Sequence, residues 1–547
     1  MAEAQVSEEP VTKTDAQRER NWVLLWAVAI VLLASVPYFW GLAITPEGHS
    51  FLGLTYNIDD GAVYLSWMRQ AADGHFFIRD LFTNQAPPGR QFNVLFLLMG
   101  NLSAITCIPL IWMFHVFRVL LGVGLIFAVW QFSKLFIEEP GARRLLIPLV
   151  GLSAGVGWLI PGAQMPTGSV DVWQPEAITF LSIYLNPLFL AGLILMLGSL
   201  YFLTLAHRTG RATYAAYAGV SLLLLGNIHT YDVLTVTCVW VAYLVVLAVV
   251  ERRFPVRTVL LSALAALIAV PSVAYQFYLF QTDQIFRARA NTPINSPPIW
   301  SFFAGYGLVL LGAVVGAVMS IAAARRTRSF NIQHSTFNSL LLIVWSIVGF
   351  AIPYIPIAQQ RKLIMGLHIP LCILCAYALS HLLARAPRSV ARGLTLAFIL
   401  FASGSNVSFL SRDINLLMVG DTAPNYSPFI SSQELSAMCY LRENMTSADT
   451  VFAPPSFALF TPAFTGRQVY YGHWSETPDY GQKRSWWAAF VARRTPTGLR
   501  TAILRETDAS YYVSVNDLTL PPPDFAQAHL ERGFAAGPVE VLRVGGL

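Results

Sequence analysis

Two carboxylates stand side by side in the segment Tyr56-Asn57-Ile58-Asp59-Asp60-Gly61-Ala62-Val63-Tyr64-Leu65. Adjacent acids repel each other, and such a pair is kept where a metal, a substrate proton or an arginine uses it. The plainer reading is that Asp59 or Asp60 caps the helix that follows, and a cap and a site are compatible. A second candidate group is Gln359-Gln360-Arg361-Lys362, two cations in a short link between apolar runs. Arginine offers an anion bidentate contacts and lysine a point charge, so a lipid phosphate is the expected ligand of Arg361 and Lys362, with Gln360 beside them. Ordinary snorkelling to head groups is the alternative. Arg287 and Arg289 offer the same chemistry. Asp171 and Glu176 lie in one further polar stretch. His229 and Asp232, three residues apart in Asn227-Ile228-His229-Thr230-Tyr231-Asp232, can share a face, either for substrate or simply to tie two helices together.

The elements that must position these residues are apolar. Of 547 residues, 55% are hydrophobic and 12% charged, with mean hydropathy +0.54. Soluble proteins carry roughly 25% charged residues, so a cytosolic globular enzyme is excluded. The 13% of aromatic residues excludes a disordered chain. Apolar runs of bilayer length are expected as spans at 22–44, 109–136, 144–161, 178–206, 212–228, 231–250, 256–279, 300–323, 337–356, 363–384 and 389–410, about eleven in all. The stretch 92–106 is shorter and is expected at the interface or as a partial helix. Ala62 to Ala72 carries Val63, Trp67 and Gln70/Ala71 at helical spacing and reads as an amphipathic helix at the membrane surface.

Charge decides the topology. With residues 1–20 inside, eleven spans put Arg143/Arg144, Arg208/Arg211, Arg252/Arg253/Arg257, Arg325/Arg326/Arg328 and Arg385/Arg388/Arg392 in inside loops, as the positive-inside rule asks. The loops 45–108, 162–177 and 280–299, and everything after 411, then lie outside. The expected organisation is a cytoplasmic tail (1–21), an all-α polytopic domain (22–410), and a small extracytoplasmic α/β domain (411–547). In the last, helices at 430–445, 480–494 and 523–532 alternate with strands at 450–453, 468–472, 511–515 and 538–543. Pro454, Pro455, Pro462 and Pro521–Pro523 punctuate it as loops. The first apolar run is too long for a cleavable signal. The net charge of +6 comes mostly from loop arginines, which favours anionic head groups and argues against a nucleic-acid partner.

Other signals are negative. The CxxC of Cys372 and Cys375 lies inside a span and reads as packing. The N-x-S/T matches at Asn101, Asn406, Asn425 and Asn444 carry no weight. There is no phosphate-cradling glycine loop, no HExxH and no GxSxG, so ATP-driven chemistry has no support.

Taken together, the pattern resembles the C-type (GT-C) superfamily of membrane glycosyltransferases. The resemblance rests on a first span followed by an outer loop opening with Asp59-Asp60, on the stretches 61–72 and 92–106, and on an odd span count leading to an outer C-terminal domain. Gln360-Arg361-Lys362 before Gly366-Leu367-His368-Ile369-Pro370, and Gly472-His473-Trp474-Ser475-Glu476-Thr477, also look like segments of bacterial members. It implies an integral protein of a bacterial plasma membrane. It implies transfer of a sugar from a polyprenyl-phosphate donor to an extracytoplasmic glycan, lipid or protein acceptor. By the same resemblance Asp59 is the general base, Arg361 and Lys362 stabilise the leaving phosphate, and Asp60 with Asp171 or Glu176 holds a divalent metal (Mg or Mn) as in some members. Two other classes compete: a lipid-linked-sugar flippase, which needs polar residues through the middle of its spans, and a non-enzymatic sensing protein, which makes no demand on Asp59 and Asp60. The aromatics Tyr470, Tyr471, Trp474, Tyr480, Trp486 and Trp487 around Gly472-His473 and Glu476 suit stacking on a sugar, residence at head-group level, or a domain core.

Overall fold

The computed structural model describes residues 13–86, 88–162, 167–326, 339–422 and 426–545. Most of the tail 1–21, and with it Arg328 and Asn425, lies outside the described residues. The chain opens with α1 (Lys13–Ala43), then β1 (His49–Phe51), α2 (Ile58–Ala72) and α3 (Val94–Thr106). The bundle continues with α4 (Leu110–Ser133), α5 (Pro140–Leu152), α6 (Thr179–Leu185), α7 (Pro187–Thr209), α8 (Ala212–Ile228), α9 (Tyr231–Glu251) and α10 (Val256–Thr282). After the short α11 (Gln284–Asn291) come α12 (Ile299–Arg326), α13 (Leu340–Ala351), α14 (His368–Leu383), α15 (Arg388–Ala402) and α16 (Gly404–Met418). Among the described residues, seven helices are long and apolar enough to cross a membrane, or eight with the bent pair α15–α16 taken as one. The remaining expected spans are shorter: α5, α8 and α13.

Several expected spans are interrupted, 300–323 by Gly307 (φ +43°) within α12 and three others for local reasons. Asn186 ends α6, and its side chain accepts the amide of Phe189 at 2.9 Å while Pro187 begins α7. The run 389–410 bends by 41° between α15 and α16, where Gly404 lies against the Trp158 indole with no room for a Cβ. The run 363–384 begins as a 3-10 turn at Gln360–Ile364 and becomes α14 only beyond Gly366, whose φ is +84°.

The arginine-bearing loops gather at one end of the bundle. Arg143 forks onto Glu19 at 2.7 and 2.8 Å, Arg208 reaches the Leu135 carbonyl at 2.9 Å, and Arg257 the Gly210 carbonyl at 2.9 Å. The opposite end carries the first loop, the 167–177 and 283–299 segments, and the C-terminal residues.

The C-terminal part holds β2 (Phe429–Ser431), α17 (Ser432–Asn444), β3 (Thr450–Phe452), α18 (Pro455–Thr465), β4 (Gln468–Val469), α19 (Tyr480–Val491) and α20 (Thr497–Thr507), then β5 (Tyr511–Ser514), α21 (Pro523–His529), β6 (Leu530–Ala536) and β7 (Val539–Val544). Ser431 and Glu434 form a reciprocal capping box that starts α17. The five-stranded sheet runs β4-β3-β5-β7-β6, with β3 parallel to β4 and β5, and β7 antiparallel to β5 and β6. Two expectations change here. The proline-marked stretch around Pro455 and Pro462 is a helix, α18, because Pro455 sits at its first turn, where no amide partner is needed. The expected helix 523–532 ends at His529 and turns into β6.

This part is stapled to the first loop. β1 pairs antiparallel with β2, Thr83 bridges Tyr471, and the Val469 amide reaches the Leu81 carbonyl at 2.9 Å. Ile58, Ala62 and Leu65 of α2 share one apolar core with Val451, Phe457 and Leu459. Burial of that face fixes how α2, and hence the acid pair, sits against the C-terminal residues.

Candidate functional site

Asp59 and Asp60 occupy the first turn of α2, after Asn57 in a left-handed conformation. Neither is a simple cap: the N-cap position belongs to Asn57, which makes no side-chain capping bond. Their placement at a helix N-terminus favours negative charge. Asp59 is buried. Its Oδ2 accepts the Trp474 indole N–H at 3.0 Å, while its Oδ1 has no donor within reach. Asp60 keeps 42% of its side-chain surface and accepts from the Asn57 amide. Enclosure by the surrounding protein and the charge of Asp59 push its carboxyl up to about 6, against the opposing pull of His473 and Lys362.

The loop after β4 closes over this pair. His473 is fully buried, with Nε2 3.7 Å from Asp59 Oδ2 and 3.7 Å from Asp60 Oδ1. Its Nδ1 accepts the Ser475 backbone amide at 3.2 Å, so the ring proton sits on Nε2, facing the two acids. Trp474 remains 48% exposed, presenting a ring face beside Asp59. Burial, followed by the charges of Asp60, Glu176, Glu476 and Asp59, holds the Tyr64 phenol well above its ordinary value, which marks these four carboxylates as one neighbourhood.

Lys362 acts on Asp60 through its charge, and Arg361 on Tyr56. Among the described residues Lys362 makes no ion pair, and its Nζ lies 4.8 Å from the centre of the Tyr231 ring. Arg361 spreads its guanidinium over Trp173 at 5.2 Å and leaves its buried Nε without a partner. Backbone bonds fix this segment: the Arg361 amide to the Ile294 carbonyl (3.1 Å) and the Gln174 side chain to the Arg361 carbonyl (3.1 Å). Arg289, in contrast, is committed. It pairs with Glu476 at 2.8 Å and donates to Gln91 at 3.1 Å. Behind it Asp80 is driven well above the carboxylate range by burial and by Glu476.

No family model and no curated protein matches the sequence. Solved structures do. The archaeal oligosaccharyltransferase AglB from Archaeoglobus fulgidus, in complex with an inhibitory peptide and a dolichol-phosphate, superposes with a TM-score of 0.55 at 12% identity, over 95% of this chain and 74% of that one. The oligosaccharyltransferase of the same organism in complex with zinc and sulfate gives 0.51 at 11% identity, over 94% and 73%. ArnT from Cupriavidus metallidurans bound to undecaprenyl phosphate gives 0.49 at 13% identity, over 94% and 97%.

The chain shares its fold with the archaeal oligosaccharyltransferase AglB.

Within this fold the other residues singled out from the sequence take varied positions. Glu176 is buried, in electrostatic reach of Tyr56 and Tyr64, which flank the acid pair in sequence. Gln360 is taken up locally, accepting the Ser296 amide at 3.3 Å and donating to the Ile355 carbonyl at 2.9 Å. His229 Nδ1 lies 2.9 Å from Asp232 Oδ2, and the pair packs on Gly192 and Phe189 of α7. Asp171 is wholly buried in its own loop. Its Oδ2 accepts the amides of Gly155 and Gly157 at 3.0 Å each, and its Oδ1 the Ser169 hydroxyl. With both oxygens filled by internal donors, Asp171 does not suit the metal-ligand role expected of it beside Asp60. Among the described residues no three His, Cys, Asp or Glu side chains are arranged to hold a metal ion.

His473 and Glu476, which the sequence groups with an aromatic patch, belong to the acid pair's surroundings. The polar–aromatic run Gly472–Thr477 was the available signal; the strand pairing that returns it to α2 was not readable.

Proposed function

We propose that this protein transfers a sugar from a polyprenyl-phosphate carrier to a hydroxyl-bearing acceptor, with inversion at the anomeric carbon. The observation that carries the reading is the acid pair within 3.7 Å of His473 Nε2, with the Asp60 carboxyl drawn down by the charge of Lys362. The dolichol-phosphate bound to the archaeal oligosaccharyltransferase supports a lipid-phosphate donor for this fold. The acid pair lies at the end of the bundle away from the arginine loops, which supports an extracytoplasmic site in an integral membrane protein.

In this mechanism Asp59 Oδ1, the oxygen without a donor, takes the acceptor proton as the acceptor oxygen attacks the anomeric carbon. The bond from that carbon to the phosphate oxygen breaks on the opposite face. The departing polyprenyl phosphate keeps the electron pair, and its charge is met by Lys362 and Arg361. Trp474 orients Asp59 through its indole N–H and offers its exposed ring to the acceptor or to the donor sugar. Asp171, its oxygens filled by Gly155, Gly157 and Ser169, takes no part in the step.

The experiment is direct. Purified protein supplied with a polyprenyl-phosphate sugar and a panel of hydroxyl acceptors should release polyprenyl phosphate and form a product of inverted anomeric configuration. Movement of intact donor across proteoliposomes with no release of phosphate would replace the enzymatic reading with transport.

A further inference from the structure

The acid pair is reached through an irregular segment, residues 52–57, between β1 and α2. Three separate parts of the bundle hold it. His115 of α4 meets the Gly53 carbonyl through Nε2 at 2.8 Å. Tyr184 of α6 meets the Thr55 hydroxyl. The Tyr56 hydroxyl donates to the Trp173 carbonyl at 2.6 Å. Gly53 itself has φ +72°, and a Cβ there would lie 2.3 Å from Ile111, so the chain is pressed against α4.

Beneath this segment lies a buried cation. Arg118 is 2% exposed. Its Nε donates to His115 Nδ1 at 3.1 Å, its Nη2 to the Ser35 hydroxyl at 2.8 Å, and its Nη1 to the Ile183 carbonyl at 3.2 Å, while the guanidinium lies 4.5 Å over the Tyr38 ring. Because Nδ1 of His115 is an acceptor, its proton is on Nε2, the atom aimed at Gly53. The network continues from Tyr38 to the Tyr184 carbonyl (2.8 Å), and from the Tyr184 hydroxyl to Asp413 (2.6 Å). Asp413 pairs with Arg412 at 2.8 Å, and Arg412 caps the Tyr56 ring at 5.1 Å. An arginine so deep in a bundle, bonded to a histidine, a hydroxyl and a carbonyl, is costly to desolvate. Packing alone would be better served by an apolar side chain.

We infer that Arg118 and His115 are positioning residues for the acid pair. They set the path of residues 53–56 and, through it, the angle at which the first turn of α2 presents Asp59 and Asp60. The inference rests on the proposed glycosyl transfer only for its kinetic consequence; the mechanical link stands on the contacts themselves.

The test uses full-length protein in detergent and two variants of one residue. His115→Leu removes both bonds, whereas His115→Gln keeps an amide donor for Gly53 and an oxygen for Arg118. Hydrogen–deuterium exchange of a peptide covering 52–61 should rise about two- to tenfold in the Leu variant, the equilibrium worth of a single hydrogen bond, and return to wild type in the Gln variant. Turnover in the Leu variant should fall about 10- to 100-fold, as expected of a misplaced catalytic group. The KM for donor should stay put, because the cations are untouched. Tyr184→Phe, which loses Thr55 and Asp413 but keeps its ring, should repeat the pattern and decides the matter if His115→Leu does not fold. Wild-type exchange over 52–61 in these variants would overturn the inference, with or without measurable turnover. Loosened exchange with unaltered kcat would overturn it equally. A wild-type protein that transfers no sugar would instead sink the proposed function and leave the exchange result to judge the link.

Discussion

Replacing Asp59 by asparagine isolates the proton-accepting role from the structural one. Asp59 has one hydrogen bond, from the Trp474 indole to Oδ2 at 3.0 Å, and a second oxygen, Oδ1, with no donor. Asparagine can keep its carbonyl oxygen against Trp474 and place its amide nitrogen where Oδ1 stood. The hydrogen bond survives, the repulsion with Asp60 is relieved, and melting should not fall. What disappears is the base, and a donor now points at the acceptor hydroxyl. Losing a general base costs about 10²- to 10⁴-fold in rate, which is about 2.7–5.4 kcal/mol at 1.36 kcal/mol per decade. Because Lys362 and Arg361 remain, KM for the lipid donor should hold while kcat falls. Initial rates of polyprenyl-phosphate release, measured beside thermal unfolding, give both quantities. An Asp59→Asn protein that melts as wild type and turns over at the wild-type rate would refute the assignment of Asp59 as base.

Asp60 sets the pH dependence. With its carboxyl at about 6, turnover should fall on the acid side with an apparent midpoint near that value, belonging to the pair of acids. Asp60→Asn should move this limb to lower pH, and an unmoved limb would assign it elsewhere. The folded protein also keeps a proton on Asp60 between pH 3.8 and about 6 that the unfolded chain has lost. This contribution therefore favours the fold below that window and is lost as pH rises through it. Asp60→Asn should accordingly melt higher than wild type at pH 7 and no higher at pH 3. Lys362→Gln removes a charged partner of the phosphate and should lower kcat/KM about 10- to 100-fold; an effect smaller than twofold would leave the leaving group to other residues. Asp171→Asn turns one acceptor among three donors into a donor and should destabilise by about 1–3 kcal/mol, with turnover per folded molecule kept. A loss of turnover at unchanged melting would return Asp171 to the site.

Much of this architecture was legible in the chain because long apolar helices announce themselves by length and composition. The boundaries of α4, α8, α9 and α10 follow the expected spans within a few residues, and α1 ends as expected but begins earlier, at Lys13 instead of residue 22. The acid pair was legible because two adjacent carboxylates at the start of an amphipathic stretch have few inert explanations. Breaks within spans were harder. Asn186-Pro187 and Gly404 are short local signals inside runs whose hydropathy is uninterrupted. Strands β1, β2 and β4 have only two or three residues each, too few for an alternating pattern. Asp171 shows the limit of residue type as evidence: a carboxylate that folds its own loop around itself reads in the sequence like a carboxylate waiting for a ligand. His473 shows the converse. Its partners lie some four hundred positions away, joined only when the segment 81–83 lies along β4 and the strand's end.

Where a lipid phosphate binds decides the mechanism. A structure of the protein with a non-transferable polyprenyl-phosphate sugar should show phosphate oxygens within hydrogen-bond reach of Lys362 Nζ and the anomeric carbon facing Asp59. Phosphate held instead at the opposite end of the bundle, among Arg143, Arg208 and Arg257, would contradict it.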